Sequence, residues 1–223
     1  MDVATCPWDG FDAATISFCE ARLCGWIVEP ANAWTSLSKT LVGLALIPAC
    51  WRARRPALWA ISSTALLQGP LGFSLHATGT FWGEALDVCG MFLISGLLIT
   101  FALARLRGWG SRRLISTYVV LTACSAAALF LFRPSGIWVF SAQLVGWATL
   151  EVLHARRAPR ADRRWLWRMV GCFALGFAFW LGDKTGLACD PSNHVINGHA
   201  LWHLATSACL ALFFMFEAGH GDT

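Results

Sequence analysis

Seven apolar windows run through the chain, near Asn32–Trp51, Ala57–Ala77, Trp82–Ala104, Leu114–Phe132, Gly136–Leu153, Trp165–Leu181 and Gly198–Phe216, each bounded by Arg, Pro, Gly or Asp. A helix needs about 20 mostly apolar residues to cross a bilayer, so each window is a candidate span. Backbone amides must be paired inside hydrocarbon, and the windows lack the alternating pattern of barrel strands, so helices are the reading that remains. The spacing predicts an all-α polytopic membrane protein, a seven-transmembrane helix bundle. The windows use most of the 223 residues and leave no room for a second domain. The expected organisation is an extramembrane N-terminal segment over residues 1–31, a helical membrane domain over 32–217 and a short tail over 218–223.

Composition agrees with a membrane setting. The chain is 57% apolar and 13% charged, whereas soluble domains show roughly 45–50% and about 25%. A net charge of +4 is too small, and charge too sparse, for a nucleic-acid module or a disordered chain. The first sixteen residues carry Asp2, Asp9 and Asp12 without a basic stretch or an apolar run, so they do not read as a cleavable signal peptide.

Orientation follows from the basic residues. Arg52, Arg54 and Arg55 follow the first window, Arg105, Arg107, Arg112 and Arg113 the third, and Arg156, Arg157, Arg160, Arg163, Arg164 and Arg168 the fifth. That places thirteen of the seventeen on one side, and the expected topology has the N-terminus outside or lumenal and the C-terminus cytoplasmic. Nine of the thirteen acids fall on the other side, joined by His76, His194, His199 and His203. Of nine cysteines, Cys6, Cys19, Cys24 and Cys189 lie outside the windows on that outer side, where three disulfide pairings are open and none has metal-type spacing.

Ionisable groups in membrane helices are costly and invite a functional reading. His199 and His203 stand four residues apart, on one face of the last span. His76 closes the second span, and because that span runs outward while the last runs inward, all three imidazoles reach the same outer depth. Three neutral imidazoles converging with a fourth position open form the ligand set of a catalytic zinc site. A haem held by two histidines is the competing cofactor, but it leaves His199 without a role. Asp87, near the outer end of the third span, reaches the same depth, where a carboxylate can orient a ligand or move a proton. Glu84 reads as an acid favoured by a helix N-terminus, and Asp183 as a second acid able to orient a ligand or to cap a helix end.

The segments CEARLCGWIVEPANAWTSLS, SLHATGTFWGEALD, FWLGD and HALWHL resemble the alkaline ceramidases, from about Cys19 to Phe216 and in the same order. That family belongs to a superfamily of seven-helix membrane hydrolases that includes the adiponectin and progestin receptors and the GPI-lipid remodelling factors. The resemblance implies an integral membrane zinc amidase that cleaves the N-acyl bond of ceramide to a sphingoid base and a fatty acid, with His76, His199 and His203 on zinc and Asp87 beside them. It also implies a Cys19–Cys189 disulfide and a calcium site before the first span, for which Glu20 and Glu29 fit two positions. Three positions depart from the family's pattern. Gly72 stands where the family has a serine, leaving Ser74 as the nearest hydroxyl, about 200° around the helix from it. Ser17 and Arg22 stand where calcium-binding residues are expected.

The expected partner is therefore a membrane lipid, ceramide or a related amide, and no nucleic acid. A zinc esterase or acyl hydrolase acting on phospholipids, and a non-catalytic seven-helix receptor or sensor, are the alternatives. Arg-rich, Lys-poor usage and short loops favour a bacterial inner membrane over an endoplasmic reticulum or Golgi membrane.

Overall fold

The structure is a computed structural model that describes residues 5–158 and 163–220; Asp2 and Arg160 of the charge pattern lie outside the described residues. The described residues form helices joined by short loops: α1 Pro30–Ser36, α2 Ser38–Ala53, α3 Pro56–Thr78, α4 Phe81–Arg107, α5 Ser111–Leu131, α6 Ser135–Arg157, α7 Arg164–Lys184 and α8 Gly198–Ala218. Local chemistry sets their ends. Pro30 and Pro56 open α1 and α3, where a missing N–H costs nothing. The Thr80 and Asn197 side chains accept the Gly83 and Ala200 N–H groups at the starts of α4 and α8, and Gly79 ends α3 at φ 63°.

The first expected span is two helices rather than one. The Ser36 hydroxyl donates to the Ala33 carbonyl at 2.7 Å and that of Ser38 to Thr35 at 2.6 Å, and hydroxyls that take local carbonyls in this way bend a helix. The break falls between them at Leu37, and α1 and α2 together still make one apolar stretch of 24 residues.

Six of these stretches are long and apolar enough to cross a membrane. The helix that differs from the seven expected is α3, which has the length at 23 residues but carries Gln68, Pro70 and His76. It packs against α1, α2, α4 and α8, and only a narrow strip that includes Ser63 and Leu67 faces outward. Pro70 leaves the Leu66 carbonyl without its helical partner, and the Thr40 hydroxyl of α2 fills the gap at 3.1 Å. A Cβ on Gly69 would lie 2.0 Å from that same hydroxyl, so a glycine is required where α2 and α3 meet.

Around this centre, α7 packs on α8, and α5 and α6 pack on α4. One apolar cluster joins Leu58, Ile61, Phe101, Met169, Leu210 and Phe213 toward the Arg-rich end, and another joins Phe81, Val88, Phe92, Leu129 and Phe140. Leu41, Leu67, Val120, Val145, Leu175 and Phe177 face outward, as lipid-facing residues do. The outer helices are bound by polar contacts as well. Gln143 of α6 bridges Ser95 of α4 and Ser125 of α5, and the guanidinium of Arg105 pairs with the buried carboxylates of Glu151 and Glu217, joining α4, α6 and α8.

Ahead of α1, residues 5–29 contain no helix and lie across the end of the bundle where α3 finishes and α4 and α8 begin. Asp12 and Gly79 carbonyls accept the Phe81 and Ala14 N–H groups, and Thr15 bonds through its N–H and hydroxyl to Glu84. Two disulfides, Cys6–Cys24 and Cys19–Cys189, tie this segment to itself and to the loop between α7 and α8.

Candidate metal centre

His76 sits in the last turn of α3, and His199 and His203 occupy consecutive turns at the start of α8. The two helices meet antiparallel, and the three imidazoles come together, all buried. Nε2 of His76 lies 3.2 Å from Nε2 of His199 and 3.1 Å from Nε2 of His203. Tetrahedral ligands at zinc–nitrogen distances of 2.0–2.1 Å stand ~3.3 Å apart, so these separations match the edges of such a site.

The second nitrogen of each ring has a different fate. Backbone N–H groups of Val28 and Glu29 take the Ala77 and His76 carbonyls at 3.0 and 2.9 Å, closing the end of α3 and setting the Glu29 side chain beside His76. Oε2 of Glu29 lies 2.7 Å from His76 Nδ1, in the carboxylate–histidine arrangement that orients metal ligands. With Nδ1–H donated to Glu29, Nε2 of His76 presents a lone pair to the two other histidines. A cation resolves that crowding, so the donor set fits a metal ion. His203 Nδ1 lies 2.8 Å from the buried Lys39 amine of α2. His199 Nδ1 is buried and has no hydrogen-bond partner among the described residues.

Asp87 is half-buried in α4, interacts electrostatically with His76 and Lys39, and makes no side-chain hydrogen bond among the described residues. A Cβ on Gly72 would lie 3.0 Å from Asp87 Oδ1 and 3.3 Å from the Cβ of Ser36. Gly72 therefore forms the floor under the carboxylate.

The structure redistributes the other expected residues. The Ser74 hydroxyl donates to the Leu71 carbonyl at 2.6 Å and lies 3.3 Å from that of Gly83. It serves the contact between α3 and α4; the space beside Gly72 that Asp87 Oδ1 faces is instead approached by the Ser36 side chain of α1. Glu20 and Glu29 do not present free oxygens to a calcium ion, which takes 6–8 oxygen ligands. Glu20 accepts the Ala31 and Asn32 N–H groups at 2.9 and 3.0 Å, capping α1, and bonds to His194 at 3.0 Å. Glu29 is engaged by His76, by Asn32 and by the Arg22 guanidinium at 3.4 Å. Burial pushes the Glu29 carboxyl up, but His76, Asn32 and Arg22 outweigh it and hold the group below the usual carboxylate range. Asp183 accepts the His199 N–H through Oδ1 and the Cys19 N–H through Oδ2, so it fixes backbone on both sides of the site.

A match to the ceramidase family runs over residues 10–219. The chain belongs to the ceramidase family. No curated protein matches it by sequence. Membership covers nearly the whole chain, including the N-terminal segment over the histidines, and it joins a multi-pass helical bundle to a family of lipid hydrolases. Within that frame the partners of the three histidines were hidden from sequence. Glu29 stands far from His76 along the chain, and Lys39 announced itself only as a basic residue inside an apolar span.

Proposed function

We propose that this member of the ceramidase family is a zinc-dependent membrane amidase that hydrolyses the N-acyl bond of ceramide, giving a sphingoid base and a fatty acid. The observation that carries this reading is the convergence of three buried imidazoles beside a carboxylate, Asp87, whose oxygens make no hydrogen bond among the described residues. A zinc ion held by His76, His199 and His203 would supply Lewis acidity and water activation at neutral pH.

The chain's own groups divide the remaining work. Glu29 fixes the ring of His76 through Nδ1, leaving Nε2 free to ligate. Asp87 accepts the proton that the attacking water loses and delivers it to the departing amine nitrogen, so one water is consumed and no proton is left over. A mostly apolar recess of about 330 Å³ between α7 and α8, lined by Phe179, Ile196, Gly198 and Leu201, opens beside the first turn of α8, which carries His199, and supports lateral entry of a lipid chain. The wider reading keeps the N-terminus and this site on the outer face and the Arg-rich loops in the cytoplasm, in a bacterial inner membrane in preference to an endoplasmic reticulum or Golgi membrane.

The test is metal analysis of purified protein coupled to ceramide hydrolysis with and without a chelator. Stoichiometric zinc and chelator-sensitive release of fatty acid are expected, and His76→Ala, His199→Ala or His203→Ala should lose both. Protein without stoichiometric zinc would sink the proposal. One observation favours a second reading: with Gly72 in α3 and Ser74 turned to α4, that helix offers the metal no hydroxyl. This suits a zinc esterase on phospholipids, and a panel of ceramides and phospholipids separates the two.

A further inference from the structure

Histidines that hold a metal ordinarily use their second N–H to fix the ring. His199 lacks that hydrogen bond among the described residues, so something else must hold its plane. Phe18 covers it. The two rings are stacked with centroids 3.7 Å apart and planes 26° from parallel, and Phe18 also meets the His76 ring at 5.3 Å.

Phe18 is held on both sides by α7. The Ser17 carbonyl accepts the Lys184 amine at 2.7 Å, and the Cys19 N–H donates to Asp183 at 2.9 Å. The Lys184 amine also sits 5.8 Å from the centre of the Phe18 ring. The other oxygen of Asp183 takes the His199 N–H at 3.0 Å, so one carboxylate sets the backbone of His199 and the backbone next to Phe18. The Cys19–Cys189 disulfide secures the same segment.

We propose that Phe18 is a positioning residue for His199, through which the N-terminal segment completes the metal centre by ring stacking in place of a hydrogen bond. The inference rests on the zinc reading above. An aliphatic side chain at this position frees the imidazole to rotate away from the converging geometry, whereas another aromatic ring keeps it in plane.

The experiment uses the full chain, stripped of metal, with Zn²⁺ and Co²⁺ titrated against a chromophoric chelator. Phe18→Leu is expected to weaken metal binding roughly 10-fold and to alter the visible bands of the Co²⁺ form. Phe18→Tyr should restore both, and the metal-free Phe18→Leu protein should melt near the wild type. Unchanged affinity and bands in Phe18→Leu, beside wild-type protein that binds metal, overturn the role of Phe18 and leave the zinc reading standing. Wild-type protein that binds neither ion overturns both. If Phe18→Leu does not fold, Phe18→Trp decides: it keeps a stacking ring and should bind metal as the wild type does, and weakened binding overturns the inference.

Discussion

Glu29 Oε2 lies 2.7 Å from Nδ1 of His76, across the junction between the N-terminal segment and the end of α3. The contact sets the tautomer of a residue that faces two other histidines, and such partners typically account for 10–100-fold in metal affinity or activity. Glu29→Ala is therefore expected to lower zinc affinity by roughly 10–100-fold. Chelator competition on the purified variant reads this directly, and retention of wild-type affinity would show that packing alone holds His76.

Asp87 offers a contrasting outcome. It interacts electrostatically with His76 but is not among the groups that converge on a shared point. Asp87→Asn should keep its metal and lose about 10²–10⁴-fold in turnover, the range for a positioned acid or base. Zinc content and rate must be measured on the same preparation, because loss of metal would make Asp87 a ligand or a structural acid instead.

Gly72 is tested by the smallest possible addition. The Cβ of Gly72→Ala would stand 3.0 Å from Asp87 Oδ1 and 3.3 Å from the Cβ of Ser36, so the carboxylate or α1 must give way by a few tenths of an ångström. Turnover should fall with little change in metal content. An alanine variant with undiminished rate would place Asp87 outside the reacting geometry.

At the Arg-rich end, the Arg105 guanidinium lies between two buried carboxylates, Glu151 and Glu217. Arg105→Ala leaves both acids without their cation, and breaking such a pair costs about 3–5 kcal/mol. Thermal unfolding in detergent should show a large fall in Tm. Zinc binding by the variant that remains folded should persist, because the histidines sit at the opposite ends of α3 and α8.

Much of this arrangement is legible in the chain itself. The helices follow the apolar windows closely because helix formation and burial in lipid both act over about 20 contiguous residues. His199 and His203 fall on one face by helical periodicity alone. The break at Leu37 was less visible, because it comes from short hydroxyl contacts that compete with a pattern still apolar overall. Gln68, Pro70 and His76 in α3 also blur the count, since four neighbouring helices cover most of that helix.

The sequence by itself determined the membrane helices, the sidedness pattern of the charges and the three histidines at one depth, because all of these are local or additive along the chain. Only the tertiary structure decided that Glu29 serves His76, that Lys39 meets His203, that Phe18 stacks on His199, and that Ser74 is turned to a neighbouring helix. These contacts join distant segments through side chains a few ångströms apart. A hydrogen bond or ring stack is lost with a small displacement, and no periodicity along the chain records where the packing of separate helices sets that distance.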